Sequence, residues 1–303
     1  MTWGSRRLAW VWTLERRGAQ WGKSTMNAEE LRITVVVDNH ASAGLAVEHG
    51  LSLWIDTGSH RILFDTGQGP ALAANTSALG IDLSQADTLV LSHGHYDHTG
   101  GLPLVLSASD RIEIYAHAGV VQPRYSIRDG QARLISMPHE AMAALDQMDS
   151  ERLHWVSAPM WLTPTIGLTG PIARRTSYED TGGPFYLDPK AVRPDHITDD
   201  LALWIRTGEG LVVCVGCSHA GLINTLNQIR RLDPGKPIRA VIGGFHLVAA
   251  GEERLIRTVA ALRDLAPRCV MPCHCTGDAA TAYLKEALGE MVQPAIAGMT
   301  YRF

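Results

Sequence analysis

The sequence predicts an α/β protein, a sandwich of two mixed β-sheets with helices on both outer faces. Two observations support this fold class. Each half of the chain opens with short apolar, β-branched segments and then alternates strand-like with helix-like segments. No repeat of solenoid length is visible, which argues against a repeat architecture. The chain has 303 residues, 46% of them hydrophobic, so it contains enough apolar material for a large core.

The first half is predicted to be a β-rich meander that gives way to β–α alternation. The segments "LSLWIDTG" and "RILFDTG" have strand composition and are joined by a short polar turn, which predicts a tight hairpin. The next segment predicts a helix that ends at Gly80. The predicted elements are a strand in 31–39, the hairpin, a helix in 70–80, a buried strand in 86–92, a helix in 101–109 and a strand in 111–119.

The second half repeats this order. "LALWIRTG" and "GLVVCVGCSHAG" predict another hairpin, and "LINTLNQIRRL" has the periodicity of an amphipathic helix. The predicted elements are strands in 201–208 and 210–221, a helix in 222–232, a strand in 238–247, a helix in 252–265, a strand and turn in 268–277 and a helix in 278–289.

Two segments fall outside this pattern. Residues 118–200 are rich in Pro, Gly and Thr and have weak periodicity, so we expect an irregular, lid-like insertion there. Residues 1–27 contain four of the eight tryptophans and are expected to form an N-terminal extension outside the core. The remainder, 28–303, is predicted to be a single domain.

The composition narrows the function classes. A formal net charge of −4 without a run of Lys or Arg argues against nucleic-acid binding. No apolar stretch reaches the length of a membrane span. The five cysteines, all in the last third, are an odd number and a poor disulfide framework. We therefore expect a cytoplasmic protein with a small-molecule substrate and no nucleic-acid or membrane partner, and we leave a homodimer open.

A dense cluster of titratable residues follows the strand predicted in 86–92. In "HGHYDH", His93 and His95 can point toward one metal ion from an extended segment, and Asp97 and His98 can turn toward a second. Imidazole and carboxylate ligands favour Zn²⁺, with Mn²⁺ and Fe²⁺ as alternatives. The other interpretation is a polar surface turn in which Asp97 and Thr99 cap the following helix. Four residues of ligand type within six positions favour the metal site.

Several segments resemble a known family. "LSHGHYDHTGG" after a strand resembles the HxHxDH signature of the metallo-β-lactamase superfamily, and "ILFDTG" (62–67) is similar to the aspartate-bearing turn that precedes it. "EHGLSLWI", "GCSHAGLINTL", "GGFHL" and "CHCTG" resemble a subfamily of dihydropterin–aminobenzene phosphate synthase-like proteins. The resemblance extends over about residues 31–303. It implies an αββα sandwich with a metal site at the sheet edges, and a structural role for Asp65 beside that site.

The resemblance also implies the remaining metal ligands. His274 matches the final histidine of the family pattern, a ligand of the second ion, and His219 is assigned as the third ligand of the first ion. At the position of the bridging aspartate, the family pattern has Gly–Asp and this chain has Gly216–Cys217. Cys217 could bridge as a thiolate, line the pocket or be inert.

Weaker candidates lie near these ligands in the sequence. His246 ends a predicted strand and is, with Asp97, a candidate catalytic residue; a packed core histidine is the alternative. Glu48 and His49 could support metal-bound imidazoles by accepting a hydrogen bond or could simply form a polar turn. Cys273 and Cys275 flank His274, and in an extended segment they would face away from it and pack.

Three further residues are weaker candidates for the functional site. His117 follows a predicted strand and could approach the site. Arg174 and Arg175 could clamp an anionic substrate from the insertion, although an exposed basic pair is the default interpretation.

These features predict a metal-dependent hydrolase in which metal-bound hydroxide attacks a small, phosphate-bearing or cyclic metabolite. No G-x-S-x-G elbow and no phosphate-cradling G-x-x-x-x-G-K-[ST] loop is present, so a covalent intermediate is not expected. The expected cofactor is two Zn²⁺ ions. The alternatives are a pterin-related synthase or transferase, an iron-dependent thiol-oxidising enzyme, and a metal-stabilised binding or sensor protein without turnover.

Overall fold

The computed structural model describes residues 31–303, so the extension predicted at residues 1–27 lies outside the described part of the chain. The strands, numbered along the chain, are β1 (Arg32–Val37), β2 (Ser52–Asp56), β3 (Arg61–Phe64), β4 (Thr88–Leu91), β5 (Glu113–Ala116), β6 (Tyr125–Arg128), β7 (Gln131–Leu134), β8 (Leu153–Trp155), β9 (Met160–Thr163), β10 (Ile166–Leu168), β11 (Phe185–Tyr186), β12 (Ala202–Thr207), β13 (Gly210–Val215), β14 (Ile238–Gly244), β15 (Cys269–Cys273) and β16 (Thr300–Arg302). The helices are α1 (Pro70–Leu79), α2 (Tyr96–Thr99), α3 (Leu102–Ala108), α4 (His139–Gln147), α5 (Leu222–Leu232), α6 (Glu252–Leu265) and α7 (Asp278–Leu288).

Two mixed sheets form the centre of the fold. The first has seven strands in the order β16-β1-β2-β3-β4-β5-β8, and the second has six in the order β15-β14-β13-β12-β10-β9. Strands β3, β4, β5 and β8 run parallel in the first sheet, and β13, β14 and β15 run parallel in the second. A smaller sheet has the order β11-β6-β7. The predicted pair of mixed sheets is confirmed.

Alternation of side chains along the strands divides the apolar residues between the two faces of each sheet. In β1, Ile33 and Val35 enter the cluster shared by the two sheets, whereas Val36 faces the opposite side. In β12, Leu203 enters the shared cluster and Trp204 faces the other way. Because side chains repeat with a period of two, both faces of each sheet must be covered.

Helices cover the two outer faces. Helices α1, α3 and α4 pack on the first sheet, and α5, α6 and α7 pack on the second. Each of these helices places its apolar side on a sheet, as Leu226 of α5 and Leu262 of α6 do. The result is the αββα order that the sequence predicts. None of the described helices is long and apolar enough to cross a membrane.

Local signals in the sequence match the structure where they are strong. The predicted hairpins are confirmed as the antiparallel pairs β2–β3 and β12–β13. Helix α1 ends at Gly80, which has φ 67 and donates its N–H to carbonyl oxygens of the last turn. Glycine adopts this left-handed conformation without steric cost, which explains why the helix stops there.

Residues 118–200 are more regular than the sequence predicts. Strand β8 extends the first sheet, and β9 and β10 extend the second. The segment also contains the hairpin β6–β7 and helix α4. These strands have two to four residues, and all four residues of β7 are exposed. Such short strands show little hydrophobic alternation, so the sequence pattern is weak there.

Candidate metal centre

The histidine-rich loop starts where β4 ends and is anchored to the end of the neighbouring parallel strand β3. Asp65, directly after β3, accepts hydrogen bonds from the backbone N–H and the hydroxyl of Ser92, each at 2.7 Å. Gly94 packs against backbone, and a Cβ there would lie 2.1 Å from the Val120 carbonyl oxygen. The loop can therefore bring its histidines together only with glycine between them.

His93, His95 and His219 form the first group that could hold a metal ion. One potential ligand atom of each lies within 4.8 Å of the others. His93 Nε2 is 2.9 Å from His95 Nδ1. His219 follows β13 in the second sheet, and its Nδ1 donates to the carbonyl oxygen of Thr181 at 2.8 Å, which leaves Nε2 available. The group thus combines ligand candidates from both sheets.

The electrostatics of this first group fit a bound cation. Burial, together with neighbouring imidazoles, lowers the pKa of His93, His95 and His219 well below the ordinary value, so each ring is neutral and keeps a lone pair. The Nε2 atoms of His95 and His219 are buried without a hydrogen-bond partner. Buried polar atoms are nearly always satisfied. A divalent ion with imidazole ligands, such as Zn²⁺, fits this donor set.

A second group adjoins the first. His98 Nε2 lies 3.2 Å from Cys217 Sγ and 3.2 Å from His274 Nε2. Asp97 Oδ2 approaches the same space, 3.5 Å from His274 Nε2 and 4.0 Å from His98 Nε2. The ring centroids of His93 and His98 are 4.2 Å apart, so the two groups are in direct contact. Imidazole, thiol and carboxylate together suit a second ion of the zinc type.

The imidazoles of the second group are fixed through their other ring nitrogens. His98 Nδ1 donates to Asp65 Oδ2 at 2.7 Å, and His274 Nδ1 donates to Asn39 Oδ1 at 2.9 Å. Such partners set the tautomer so that Nε2 is the free ligand atom. Burial alone would lower the pKa of His98, but the carboxylates of Asp65 and Asp97 outweigh it and raise the pKa to about 9. A metal ion at His98 therefore has to displace a proton.

Asp97 is buried and ionised. Burial would raise the pKa of its carboxyl group, but His98, the hydrogen bond from His49 and then His274 lower the pKa well below its usual range. His49 Nε2 lies 3.1 Å from Asp97 Oδ2, and its side chain is half-exposed. The structure thus places His49 beside the site, where it supports the carboxylate from the cavity side.

Cys275 does not face away from the site, and the prediction that it packs like Cys273 is wrong. A 3₁₀ turn, His274–Thr276, begins directly after β15, and His274 has φ 50, so the segment is not extended. Cys275 therefore groups with Cys217 and His246. Burial raises the pKa of the Cys217 thiol. Burial would also raise the pKa of Cys275, but a hydrogen bond from Cys217 and the nearby His246 lower it. Cys273 packs in the core between the sheets.

His246 lies beside the first group. It follows β14 with φ 46, and its ring centroid is 4.4 Å from that of His219. Its Nδ1 is buried without a hydrogen-bond partner. The side chain also lines the cavity in front of the metal-ligand candidates.

The remaining candidates have other partners. Glu48 accepts hydrogen bonds from the N–H groups of Gln68 and Ala71 at the start of α1, so the expectation that it supports a metal ligand is wrong. Free N–H groups at a helix N-terminus favour a carboxylate there. His117 accepts the N–H of Gly119 and so caps a 3₁₀ turn, and it joins none of the metal-binding groups found in the described residues.

Arg174 binds backbone carbonyl oxygens of the chain itself. Its Nη2 donates to the carbonyl oxygens of His196 and His219, at 2.8 and 2.6 Å. The guanidinium thus holds the loop that carries His219. Arg175 is exposed and contributes its backbone N–H to Asn224.

Sequence reasoning missed a buried ion-pair network beneath the histidine-rich loop. Arg124 is 1% exposed and pairs with Asp199 and, at 2.9 Å from Nε, with Asp195. Asp199 Oδ2 also accepts the N–H of Gly94 at 2.9 Å. These residues lie within 118–200, where no periodic pattern marks them, and only the unusual run of aspartates at 195–200 could have suggested a buried partner.

A cavity of about 810 Å³ opens in front of the two groups. His95, Asp97, Cys217 and His274 reach its floor. The β6–β7 hairpin lines one side, and Phe185 also contributes to the wall. This volume lies within the range of small-molecule sites.

Known proteins are similar to this chain over most of its length. The family model of the metallo-β-lactamase superfamily matches residues 45–228. A protein of Methanocaldococcus jannaschii named 7,8-dihydropterin-6-methyl-4-(β-D-ribofuranosyl)-aminobenzene-5'-phosphate synthase is 31% identical over 270 residues, which cover 84% of this chain and 90% of that protein. An uncharacterized protein of the same organism is 32% identical over 256 residues, with 84% of this chain and 94% of the other covered.

A solved structure shows the same relationship. The crystal structure of a metal-dependent hydrolase of the β-lactamase superfamily aligns with a TM-score of 0.77 and 30% identity, covering 90% of this chain and 99% of the other. Members of this superfamily bind divalent metal ions and are generally metallohydrolases. The chain belongs to the metallo-β-lactamase superfamily.

Proposed function

We propose that this protein is a metallohydrolase that holds two divalent ions and cleaves a bond in a small molecule. The observation that carries the proposal is the convergence of histidine ring nitrogens from three chain segments beside a cavity that His95 and His274 line. Two of these nitrogens, His95 Nε2 and His219 Nε2, are buried without a hydrogen-bond partner. Membership of a superfamily of metallohydrolases supports the same conclusion. We propose Zn²⁺ as the metal, since neutral imidazoles, a carboxylate and a thiol favour it.

The first ion is proposed to bind His93, His95 and His219. The second is proposed to bind His98 and His274. The ligand atoms of each set lie within coordination reach of a common point, since they are within 4.8 Å of one another or closer. Asp65 orients His98, and Thr181 orients His219.

Asp97 and Cys217 complete the second site. Asp97 offers an ionised carboxylate 3.5 Å from His274 Nε2. Cys217 Sγ lies 3.2 Å from His98 Nε2 and also belongs to a group with His93, so it stands between the two sets. We propose that Cys217 occupies the position of the bridging ligand.

Bound divalent ions would supply a water activated at neutral pH and an electrophile for the substrate oxygen. The protein's own residues would then position the substrate and protonate its leaving group. Asp97 and its partner His49 hold a negative charge and a proton donor at the cavity floor. His246, with its unpartnered Nδ1, is proposed to pass a proton to the leaving group.

Elemental analysis and a substrate panel test the proposal. Protein purified without chelators should contain about two transition-metal ions per chain and hydrolyse a generic phosphodiester, lactone or thioester. His219→Ala should lose the first ion, and His98→Ala the second, each with loss of hydrolysis. The exposed His139→Asn serves as a matched control and should keep both. Finding no transition metal in wild-type protein purified without chelators would contradict the proposal.

A pterin-related synthase is the second candidate function. The M. jannaschii relative at 31% identity carries a synthase name, and 84% of this chain aligns with it. Incubating the metal-loaded protein with a dihydropterin precursor and ribofuranosylaminobenzene phosphate tests this candidate by mass spectrometry. Formation of the joined product, with no turnover of the generic esters, would favour the synthase over the hydrolase. Iron as the native metal, with consumption of O₂, would point to oxidation of a thiol instead.

A further inference from the structure

The β6–β7 hairpin stands at the rim of the cavity and is fixed to the histidine-rich loop at its base. The N–H of Tyr96 donates to the carbonyl oxygen of Ile135 at 3.1 Å, and Ser136 forms a bridge with His95. On its other side the hairpin pairs with β11, which carries Phe185. The hairpin is therefore joined by backbone hydrogen bonds to the histidine-rich loop at its base and to β11 along its other edge.

The hairpin directs one face toward the cavity. Ser126 pairs with Arg133, and Arg128 pairs with Gln131. Side chains of paired residues in an antiparallel ladder share a face, and residues two apart share it as well. All four of these side chains line the cavity. Within β6 and β7 all four positions on that face are polar, and Ile135, which follows β7 on the same side, adds one apolar side chain to the lining.

The opposite face of the hairpin has a different composition. It carries Tyr125, Ile127, Ala132 and Leu134, which the cavity lining does not include. The hairpin therefore turns its polar face, and not its apolar face, toward the cavity.

Two guanidinium groups on this face lack a carboxylate partner. No ion pair of Arg128 or Arg133 is found among residues 31–303. Among residues 31–303, the hydrogen-bond partner found for the Arg133 guanidinium is the Tyr96 hydroxyl, 3.3 Å from Nη2, and Arg133 Cζ lies 5.4 Å from the Tyr96 ring centroid. By contrast, buried Arg124 just before the hairpin has two aspartate partners.

The acidic residues around the cavity do not neutralise these arginines. Asp278 lines the cavity but pairs with His40 at 2.9 Å. Asp97 lies among the metal-ligand candidates on the floor. Asp129 in the hairpin turn also lines the cavity, so the hairpin itself carries two positive charges against one negative charge.

We propose that Arg128 and Arg133, with Ser126 and Gln131 beside them, form a phosphate-binding subsite that selects substrates carrying a phosphate monoester group. This proposal rests on the proposed function, because the phosphate belongs to the molecule that reacts at the metal centre. Two guanidinium groups match a dianion and its several acceptor oxygens, and Ser and Gln add neutral donors. Arg133 lies three residues from Ser136, which pairs with His95, so the bound phosphate would lie beside the metal centre while another bond of the substrate reacts there.

Binding of benzylphosphonate to the metal-loaded protein tests the subsite. This probe carries a dianionic head group and a C–P bond that hydrolysis does not cleave. Isothermal titration calorimetry should show that Arg128→Ala and Arg133→Ala each weaken its binding about tenfold, and that the double variant weakens it further. Arg133→Lys should retain part of the affinity, since it keeps the charge but not the planar donors. Benzyl alcohol, the uncharged counterpart, should bind wild type and variants alike.

Arg230→Ala is the matched control, because Arg230 is an exposed arginine on α5 outside the cavity lining. It should bind benzylphosphonate as wild type does. An unchanged dissociation constant in the double variant would overturn the proposal and assign the phosphonate to the metal ions alone. Absence of any binding to wild type would overturn it as well.

Metal content and hydrolysis of a neutral lactone, measured on the same samples, separate this proposal from the hydrolase proposal. Metal content should be unchanged in the arginine variants, since neither arginine is a proposed metal ligand. Suppose that wild type hydrolyses none of the substrates and still binds benzylphosphonate more tightly than the arginine variants do. That result would contradict the hydrolase proposal and support the phosphate subsite.

Discussion

Asp65 shows how a residue outside the cavity can control a metal ligand. Its carboxylate accepts hydrogen bonds from Ser92 and from His98 Nδ1, and it is fully buried. It also has φ 60, a left-handed conformation that Asp and Asn tolerate better than most residues. The sequence predicts both the aspartate-bearing turn, "ILFDTG", and the position of Asp65 beside the site.

Asp65→Asn should weaken binding of the second ion by about 10–100-fold, the range for losing a partner of a metal-bound histidine. The amide keeps the backbone conformation and one acceptor but cannot match the charge that favours the donating His98 Nδ1. Competition with a chromophoric chelator measures the affinity. The exposed Asp110→Asn is the control. Equal affinities in Asp65→Asn and wild type would show that Asp65 serves the fold alone.

Cys217 marks the clearest departure from the family pattern at the residue scale. We expect Cys217→Ser to lower occupancy of the second ion by at least tenfold, since a hydroxyl replaces a thiolate ligand. The apo protein should unfold at nearly the same temperature as apo wild type. Elemental analysis and thermal denaturation check the two parts. Cys269→Ser, a half-buried cysteine outside the site, should leave the metal content unchanged. A stoichiometry equal to wild type in Cys217→Ser would remove Cys217 from the ligands.

At the scale of elements, sequence patterns succeeded where the determinants are local. The two hairpins and helix α1 are marked by turn residues, alternation and a terminal glycine, all within a few positions. The side-chain direction of Cys275 was predicted wrongly because the turn expected in 268–277 already starts at His274, in a left-handed conformation, and the sequence does not mark where the strand ends. Likewise β8 pairs with β5 and β10 pairs with β12, both distant in the sequence, which a short segment does not encode, and β9 is an edge strand added beside β10.

The Arg124 network connects elements that the sequence separates. It joins the segment before β6 to the loop 195–199 and, through Asp199, to Gly94 between two candidate ligands. Arg124→Met should therefore destabilise the protein by about 3–5 kcal/mol, because two buried aspartates lose their counter-charge. Urea unfolding measures this change.

Arg268→Met provides the matched comparison, since Arg268 forms an exposed pair with Glu209. Pairs of this kind contribute about 0–1 kcal/mol. If Arg124→Met lowers the free energy of unfolding no more than Arg268→Met does, water must enter and screen the two aspartates. That result would also mean that the network does not hold the histidine-rich loop.

At the scale of the whole molecule, the proposed metal ligands come from both sheets. His93, His95 and His98 follow β4 of the first sheet, whereas His219 follows β13 and His274 follows β15 of the second. The parallel strands of each sheet end at this edge, and the loops that follow them meet there. A metal ion bound at this edge would cross-link the two halves of the sandwich.

Removing the metal should therefore lower the stability of the whole domain and not of one loop. A ligand that binds only the folded state contributes about 2.7 kcal/mol when its concentration is 100 times its dissociation constant. For a domain of this size that corresponds to about 5–10 °C in Tm. Calorimetry of the metal-loaded protein with and without a chelator should show one transition that shifts by this amount. In His219→Ala the chelator should shift the transition less, because the first ion is already lost. A separate low-temperature transition after chelation would instead indicate that the metal orders only the histidine-rich loop, with the sandwich folding independently of it.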